Sequence, residues 1–293
     1  MEVHVELAAE TLWEIGPVHI TNSMFMMFVV MAAILIVFTM IARGAKYIPG
    51  RAQGVVEMIV EFILDLVEGT AGRRIGRRIF PLIAGMFIFI LFANFSGLLP
   101  GVGTILLDNG VNEHVVEETV PADSPAAEEV HESAGTPLLR PPTADLNMTL
   151  AMSLLTFVVV QIAGVSAHGL GGRIKHMADP PFLFPIEVIS ELSRIISLSA
   201  RLFGNVFAGE VLLGVMYGMA NAIKIALVPV VFPVVFIFLE VLFGTIQALV
   251  FALLTLIYIT LAAAGHDDEH EEAHAHDPAG ATTPNVASAS AGD

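Results

Sequence analysis

Residues 187–210 read Glu187-Val-Ile-Ser-Glu-Leu-Ser-Arg194-Ile-Ile-Ser-Leu-Ser-Ala-Arg201-Leu-Phe-Gly-Asn205-Val-Phe-Ala-Gly-Glu210, and this stretch decides the fold. Glu187, Glu191, Arg194, Arg201 and Glu210 interrupt a run that is otherwise strongly apolar. A guanidinium stays protonated under any biological condition. Placing one in hydrocarbon costs roughly 2.5–3.5 kcal/mol on insertion scales. A cost of that size requires a partner or a task, and the default reading of a charge inside a membrane helix is an ion pathway. Helical phase organises the polar residues. Glu187, Ser190, Arg194, Ser197 and Arg201 step by three, four, three and four, with Ser193 beside them, so they share one face. A carboxylate and hydroxyls in one row make a wet, proton-passing groove. Glu210 lies nine residues past Arg201, about half a rotation away at roughly 100° per residue, and faces a different neighbour.

The rest of the chain agrees with a membrane setting. Of 293 residues 55% are hydrophobic and only 14% charged, with mean hydropathy +0.77. An ordinary soluble domain is about 25% charged. Residues 22–42, 79–100 and 146–168 carry no Asp, Glu, Lys or Arg, and each matches the roughly 20 residues that a bilayer demands. From Val234 to Gly265 only Glu240 is charged. A helix of that length is roughly 46 Å long against a hydrocarbon core of about 30 Å, so it must tilt. The segment from Glu187 to about residue 219 has the same excess length. The expected fold is an all-α integral membrane protein. It has about five transmembrane helices plus one amphipathic surface helix, the last two spans forming a long, strongly tilted hairpin that turns near 220–232. On its second strand of the hairpin Glu240, Gln247 and Tyr258 share a face near Thr255, and Glu240 lies at the same end as Glu210, so the two can meet.

Charge distribution orients these spans. Arg43, Lys46, Arg51, Arg73, Arg74, Arg77 and Arg78 lie between the first two spans, and Arg173 and Lys175 follow the third. The connection 101–145 holds Arg140 alone against nine acids. The positive-inside rule puts 43–78 and 169–184 in the cytoplasm, and the acidic loop and N-terminus outside. Three regions follow: an outer N-terminal segment 1–19, partly helical; a membrane domain 20–264; and a disordered, acidic, His-rich tail 265–293. Within the membrane domain, Glu57, Glu61, Asp65 and Glu68 fall on one side of residues 52–69, marking an amphipathic helix on the membrane surface or against partner subunits. Residues 108–144 read as a solvated, largely disordered outer loop. Asp145 or Asn147 is the expected N-cap of the third span.

Several chemistries are excluded. The chain has no cysteine, so disulfides and thiolate chemistry are absent. The N-terminus has no early Lys or Arg and so lacks the positive n-region of a signal peptide. His270-Glu271-Glu272-Ala273-His274 formally matches a zinc-protease pattern, but it sits in a low-complexity tail without a third ligand. His114 and His131 have no ligand spacing. No catalytic residue, metal, cofactor or nucleic-acid partner is expected.

The run Ser197-Leu-Ser-Ala-Arg201-Leu-Phe-Gly-Asn205-Val-Phe-Ala-Gly-Glu210 resembles the signature of subunit a of the F-type ATP synthases. So do the lead-in Pro185-Ile-Glu187 to Arg194, the helix end Asn94 to Pro100, the start Pro142-Thr-Ala-Asp145-Leu-Asn147, and the run from Glu240 through Gln247 to Tyr258. The likeness covers about residues 20–264. The acidic insert and His-rich tail depart from it, and Gly97 stands where some members carry a carboxylate.

The resemblance implies a non-catalytic stator beside a rotating ring of c subunits, joined by peripheral-stalk b subunits and the rest of the complex in a bacterial plasma membrane. Two offset aqueous half-channels would connect the ring's carboxylates to opposite sides. Arg201 would be the essential arginine between them. Glu210, Glu240 and Gln247 would belong to the outer half-channel, and Glu187 with Ser190, Ser193, Ser197 and Asn205 to the inner one. The expected ion is the proton. A free-standing secondary transporter is the alternative, but it predicts internal repeats, and the first half holds no counterpart of the 187–210 stripe. A non-conducting scaffold leaves the helically spaced charges unexplained.

Overall fold

The computed structural model describes residues 9–15, 18–99, 101–102, 105–107, 136–177, 182, 184–222 and 228–264. In chain order these form strands β1 (Thr11–Ile15) and β2 (Val18–Thr21), helices α1 (Asn22–Arg43) and α2 (Arg51–Ser96), and a short strand pair, β3 (Leu106–Leu107) and β4 (Thr136–Pro137). A 3-10 turn (Pro142–Ala144) then leads to α3 (Leu146–Met177), α4 (Phe184–Ala222) and α5 (Val228–Ala264). Among the described residues, five helices are long and apolar enough to cross a membrane. The expected all-α membrane architecture is what the chain adopts, and the protein is multi-pass.

The bundle is built inside out relative to a soluble protein. On α3, Leu146, Leu150, Leu154, Leu155, Val158 and Ile162 face outward, while Thr149, Ser153 and Thr156 are buried. Lipid accepts the leucines, whereas hydroxyls in hydrocarbon must find protein partners. Thr149 and Ser199 lie 3.1 Å apart across α3 and α4, and Thr156 and Thr255 lie 3.4 Å apart across α3 and α5. Between these polar contacts Phe87, Ile90, Leu202, Phe251, Leu256 and Ile259 form the apolar core.

Two glycines bend the long helices. Gly72 in α2 has φ 72, ψ 159, and Gly169 in α3 has φ 72, ψ 166. A side chain with a Cβ is strained in that region. The segment 52–69 and the second span therefore run on as one element broken at Gly72. Glu57, Glu61 and Asp65 are exposed, while Ile63 and Val67 join the core. Glu68 straddles the break, accepting from Arg77 at 2.7 Å and pairing with Arg73 at 3.5 Å.

Helices α4 and α5, of 39 and 37 residues, pack against each other as the expected hairpin. Residues 223–227 between them lie outside the described residues. At 1.5 Å per residue α5 is roughly 55 Å long, well beyond a hydrocarbon core of about 30 Å.

Two expectations are corrected. The described part of the N-terminal segment, read as partly helical, forms an antiparallel pair with Ile15 opposite Val18, residues 1–8 lying outside the described residues. Thr11, Ile15, Val18, Ile20 and Thr21 are β-branched and favour a pleated backbone. The outer loop, read as solvated through residue 144, is ordered at its C-terminal end. Leu106 pairs with Pro137 and Leu107 with Thr136, and Arg140 through Ala144 are buried. The physical reason is the rigid Pro141-Pro142 pair, which seats the 3-10 turn against α1, α2, α3 and α4. As expected, Asp145 caps α3, its Oδ1 accepting from the Asn147 N–H at 2.9 Å. Its Oδ2 accepts from the Ser23 hydroxyl at 2.7 Å, tying α3 to α1. Residues 108–135 and the tail 265–293, including His114, His131 and the 270–274 pattern, lie outside the described residues.

Gly97 gains its reason here. A Cβ at this position would lie 2.6 Å from Pro141 Cγ. A proline ring cannot swing aside, so Gly97→Ala is expected to destabilise the protein by about 1–3 kcal/mol, as overpacking does. Thermal unfolding of the purified chain in detergent measures this. An unchanged Tm would mean that the Pro141 segment yields freely.

Candidate functional site: a charged seam between the last helices

The hairpin brings two acidic residues of the sequence together. Gly209 on α4 presents bare backbone, and the Glu240 carboxylate of α5 lies against it. A Cβ at Gly209 would come within 2.6 Å of Glu240 Oε1. Glu210 is the next residue on α4, adjacent in sequence to that contact. Gln247, two turns further along α5, is buried in the same seam.

A residue that the sequence reading did not single out completes the group. Arg140 is 5% exposed, and its guanidinium reaches to 3.6 Å from Glu210 Oε2. The only signal in the sequence was its isolation, one cation among the nine acids of 101–145. Asn94, noticed only as part of a helix end, donates from Nδ2 to the Gly244 carbonyl at 3.0 Å, one turn from Gln247 and from Glu240. Asn94 Oδ1, Thr143 Oγ1, Glu240 Oε2 and Gln247 Nε2 are buried and make no hydrogen bond among the described residues. Polar atoms of this kind are met by water in native proteins, and a seam rich in them is wettable.

The stripe through Arg201 occupies the opposite flank of α4. Arg201, Ser193 and Ser197 are exposed, and Glu187, Ser190 and Asn205 are half-buried. Leu198, Leu202 and Val206 fill the buried flank. Among the described residues Arg201 makes no salt bridge, and the fold does not bring it to Glu210 or Glu240. Arg194 departs from the stripe. Its guanidinium lies 5.0 Å from the centre of the Tyr258 ring on α5, an attraction of cation to aromatic face. Glu191 is buried and hydrogen-bonded by Gln161 of α3. With Ser153, Thr156, Arg194 and Tyr258 it lines a small cleft.

The arrangement offers two separate chemistries. The interior seam has carboxylates, which can exchange protons, and amides, which can hydrogen-bond water. The outer flank presents a permanent cation to whatever stands beside the bundle.

The chain as a whole is similar to known proteins. The family model of the ATP synthase A chain matches residues 24–260. ATP synthase subunit a of Moorella thermoacetica is 35% identical over 256 residues, covering 87% of this chain and 96% of that relative. ATP synthase subunit a of Geotalea daltonii is 34% identical over 235 residues, covering 78% of this chain and 82% of that relative. The counterpart in Desulforamulus reducens is 30% identical over 262 residues, covering 88% and 86%. On its helices and on these matches, the chain belongs to the ATP synthase A chain family, the multi-pass membrane subunit of the Fo sector that serves proton transport in ATP synthesis.

Proposed function

We propose that this chain is the proton-conducting stator of its complex, forming two offset aqueous half-channels against a ring of c subunits, with peripheral-stalk b subunits holding it in place. The observation that carries the reading is the separation of charges on α4. Arg201 stands on the exposed flank, and Glu210, nine residues on, is half-buried and pairs with buried Arg140 next to the Gly209–Glu240 contact. Nine residues span roughly 14 Å along a helix and about half a turn around it, so the cation and the acidic pair serve different compartments.

Glu210, Glu240 and Gln247 line the outer path. Glu187, Ser190, Ser193, Ser197 and Asn205 line the inner one. A ring carboxylate facing lipid prefers to be protonated, because desolvation disfavours its charge, whereas beside Arg201 the charged form is favoured. The proton therefore leaves on one side of Arg201 and is replaced on the other. A fixed cation also bars protons from crossing directly between the paths. The basic segments after α1 and at the C-terminal end of α3 face the cytoplasm of a bacterial cell, by the positive-inside rule.

Single-cysteine variants test this arrangement, since the chain has no cysteine of its own. In sealed vesicles of the assembled complex, Glu240→Cys and Gln247→Cys are expected to react with a small membrane-impermeant thiol reagent from the outer side only. Ser190→Cys and Ser193→Cys are expected to react from the cytoplasmic side only. Reaction of both sets from the same side would remove the two-path reading.

A further inference from the structure

We infer that Tyr258 is a positioning residue: the face of its aromatic ring draws the Arg194 guanidinium off the outer flank of α4, so that Arg201 is the cation left facing the c subunits. The inference rests on the proposed mechanism, in which one fixed charge separates the two paths. Its own support is geometric.

Helical phase gives α4 two arginines on one face. Arg194 and Arg201 are seven residues apart, which is two turns less about 20°. Any rotation of the helix that turns Arg201 outward turns Arg194 outward with it. Yet the two side chains end in different places. Arg201 is exposed, as are Ser193 and Ser197, whereas Arg194 is half-buried. Its guanidinium lies 5.0 Å from the centre of the Tyr258 ring on α5. The long stem of an arginine gives it the reach. The π face of a tyrosine attracts a cation, more strongly where water is excluded.

Tyr258 is itself held in place. Thr255, one turn earlier, is fully buried and lies 3.4 Å from Thr156 of α3. Ile259, the next residue, belongs to the apolar core. These neighbours fix the register of α5 and leave Tyr258 half-buried at the edge of the core. Arg194 and Tyr258 line one cleft together with Ser153, Thr156 and Glu191. This recess between α3, α4 and α5 is where the guanidinium is received. The contact is to the face of the aromatic ring, so the hydroxyl is not what makes it.

The position of this charge bears on proton loading. Seven residues are roughly 10 Å along a helix, so a released Arg194 would set a second cation along the inner path. There it would act on c-ring carboxylates as Arg201 does, favouring their charged form. A carboxylate so placed would be slow to take up a proton from the cytoplasm but could still give one up. The loss would fall on ATP-driven pumping, in which the inner path loads the carboxylates. Synthesis, in which they unload into that path, would suffer less.

The test compares ATP-driven proton pumping and ΔpH-driven ATP synthesis by the complex reconstituted in liposomes, with assembly checked by copurification. Tyr258→Phe keeps the aromatic face and is expected to match wild type in both. Tyr258→Leu is expected to lower pumping about tenfold, the effect of about one unit on a carboxylate pKa, and synthesis by less. Adding Arg194→Gln to Tyr258→Leu is expected to restore pumping, because the released charge is gone. Wild-type pumping by Tyr258→Leu overturns the inference. So does a double variant as slow as the single one, which marks lost packing rather than a released cation. If Tyr258→Leu does not assemble, Tyr258→Met decides by the same comparison. Arg201→Ala separates the two readings. If it retains wild-type synthesis, the proposed mechanism falls and takes this inference with it. If it loses synthesis while Tyr258→Leu pumps like wild type, only the role of Tyr258 falls.

Discussion

Replacement of Arg201 by alanine is expected to abolish ΔpH-driven ATP synthesis while passive proton leak is retained or raised. Loss of one positioned charge in a desolvated site typically costs about 10²–10³ in rate, and in the proposed mechanism the charge has two jobs. It drives the ring carboxylate to release its proton, and it bars direct passage between the paths. Removing it ends the first and relaxes the second. Arg201→Lys is a poor rescue, because an ammonium is compact and can lose its proton when desolvated. Synthesis and leak are recorded together on the complex in liposomes. Unchanged synthesis in Arg201→Ala would deprive the mechanism of its centre.

Glu210→Gln is expected to lower synthesis by at least about tenfold with no rise in leak, the opposite pairing. Proton transfer through a positioned carboxylate contributes about 10²–10⁴ where it is on the path, and partial bypass through Glu240 accounts for the lower bound. Glutamine keeps the shape and a hydrogen-bonding oxygen for Arg140 but cannot cycle a proton. A variant that leaked like Arg201→Ala would show that Glu210 is a barrier rather than a carrier. The contrast between the two variants is more informative than either alone, since mere misassembly lowers synthesis in both without separating the leaks.

Much of this was legible in the sequence because it depends on local patterns. Charge-free runs marked the spans, and the helix lengths of the last two followed from where charges return. Asp145 was recognisable as a cap. The approach of Glu240 to the Gly209 step of α4 followed from hairpin geometry. What escaped depends on contacts between distant segments. Arg140 lies in a loop whose composition, averaged over forty residues, reads as solvated, and only the 3-10 turn carries it inside. Glu191 is one position off the stripe, which is enough to turn it from the outer flank to the buried side against Gln161. Gly72 and Gly169 were visible as glycines, but a glycine in a helical pattern does not announce a positive φ. The β1–β2 pair was missed because a segment too short to bury a face gives little periodicity to read.

The exposure of Arg201 has a bearing on how such a chain comes to be in a complex at all. Left alone in a bilayer, it turns a permanent cation toward lipid. That penalty, roughly 2.5–3.5 kcal/mol on insertion scales, is a large fraction of the 5–15 kcal/mol that ordinarily keeps a domain folded. A neighbour offering carboxylates at the same depth relieves it. Under the proposed mechanism, the residue that governs proton release thereby also gives the orphan subunit a reason to find the ring, and assembly and operation draw on one electrostatic term.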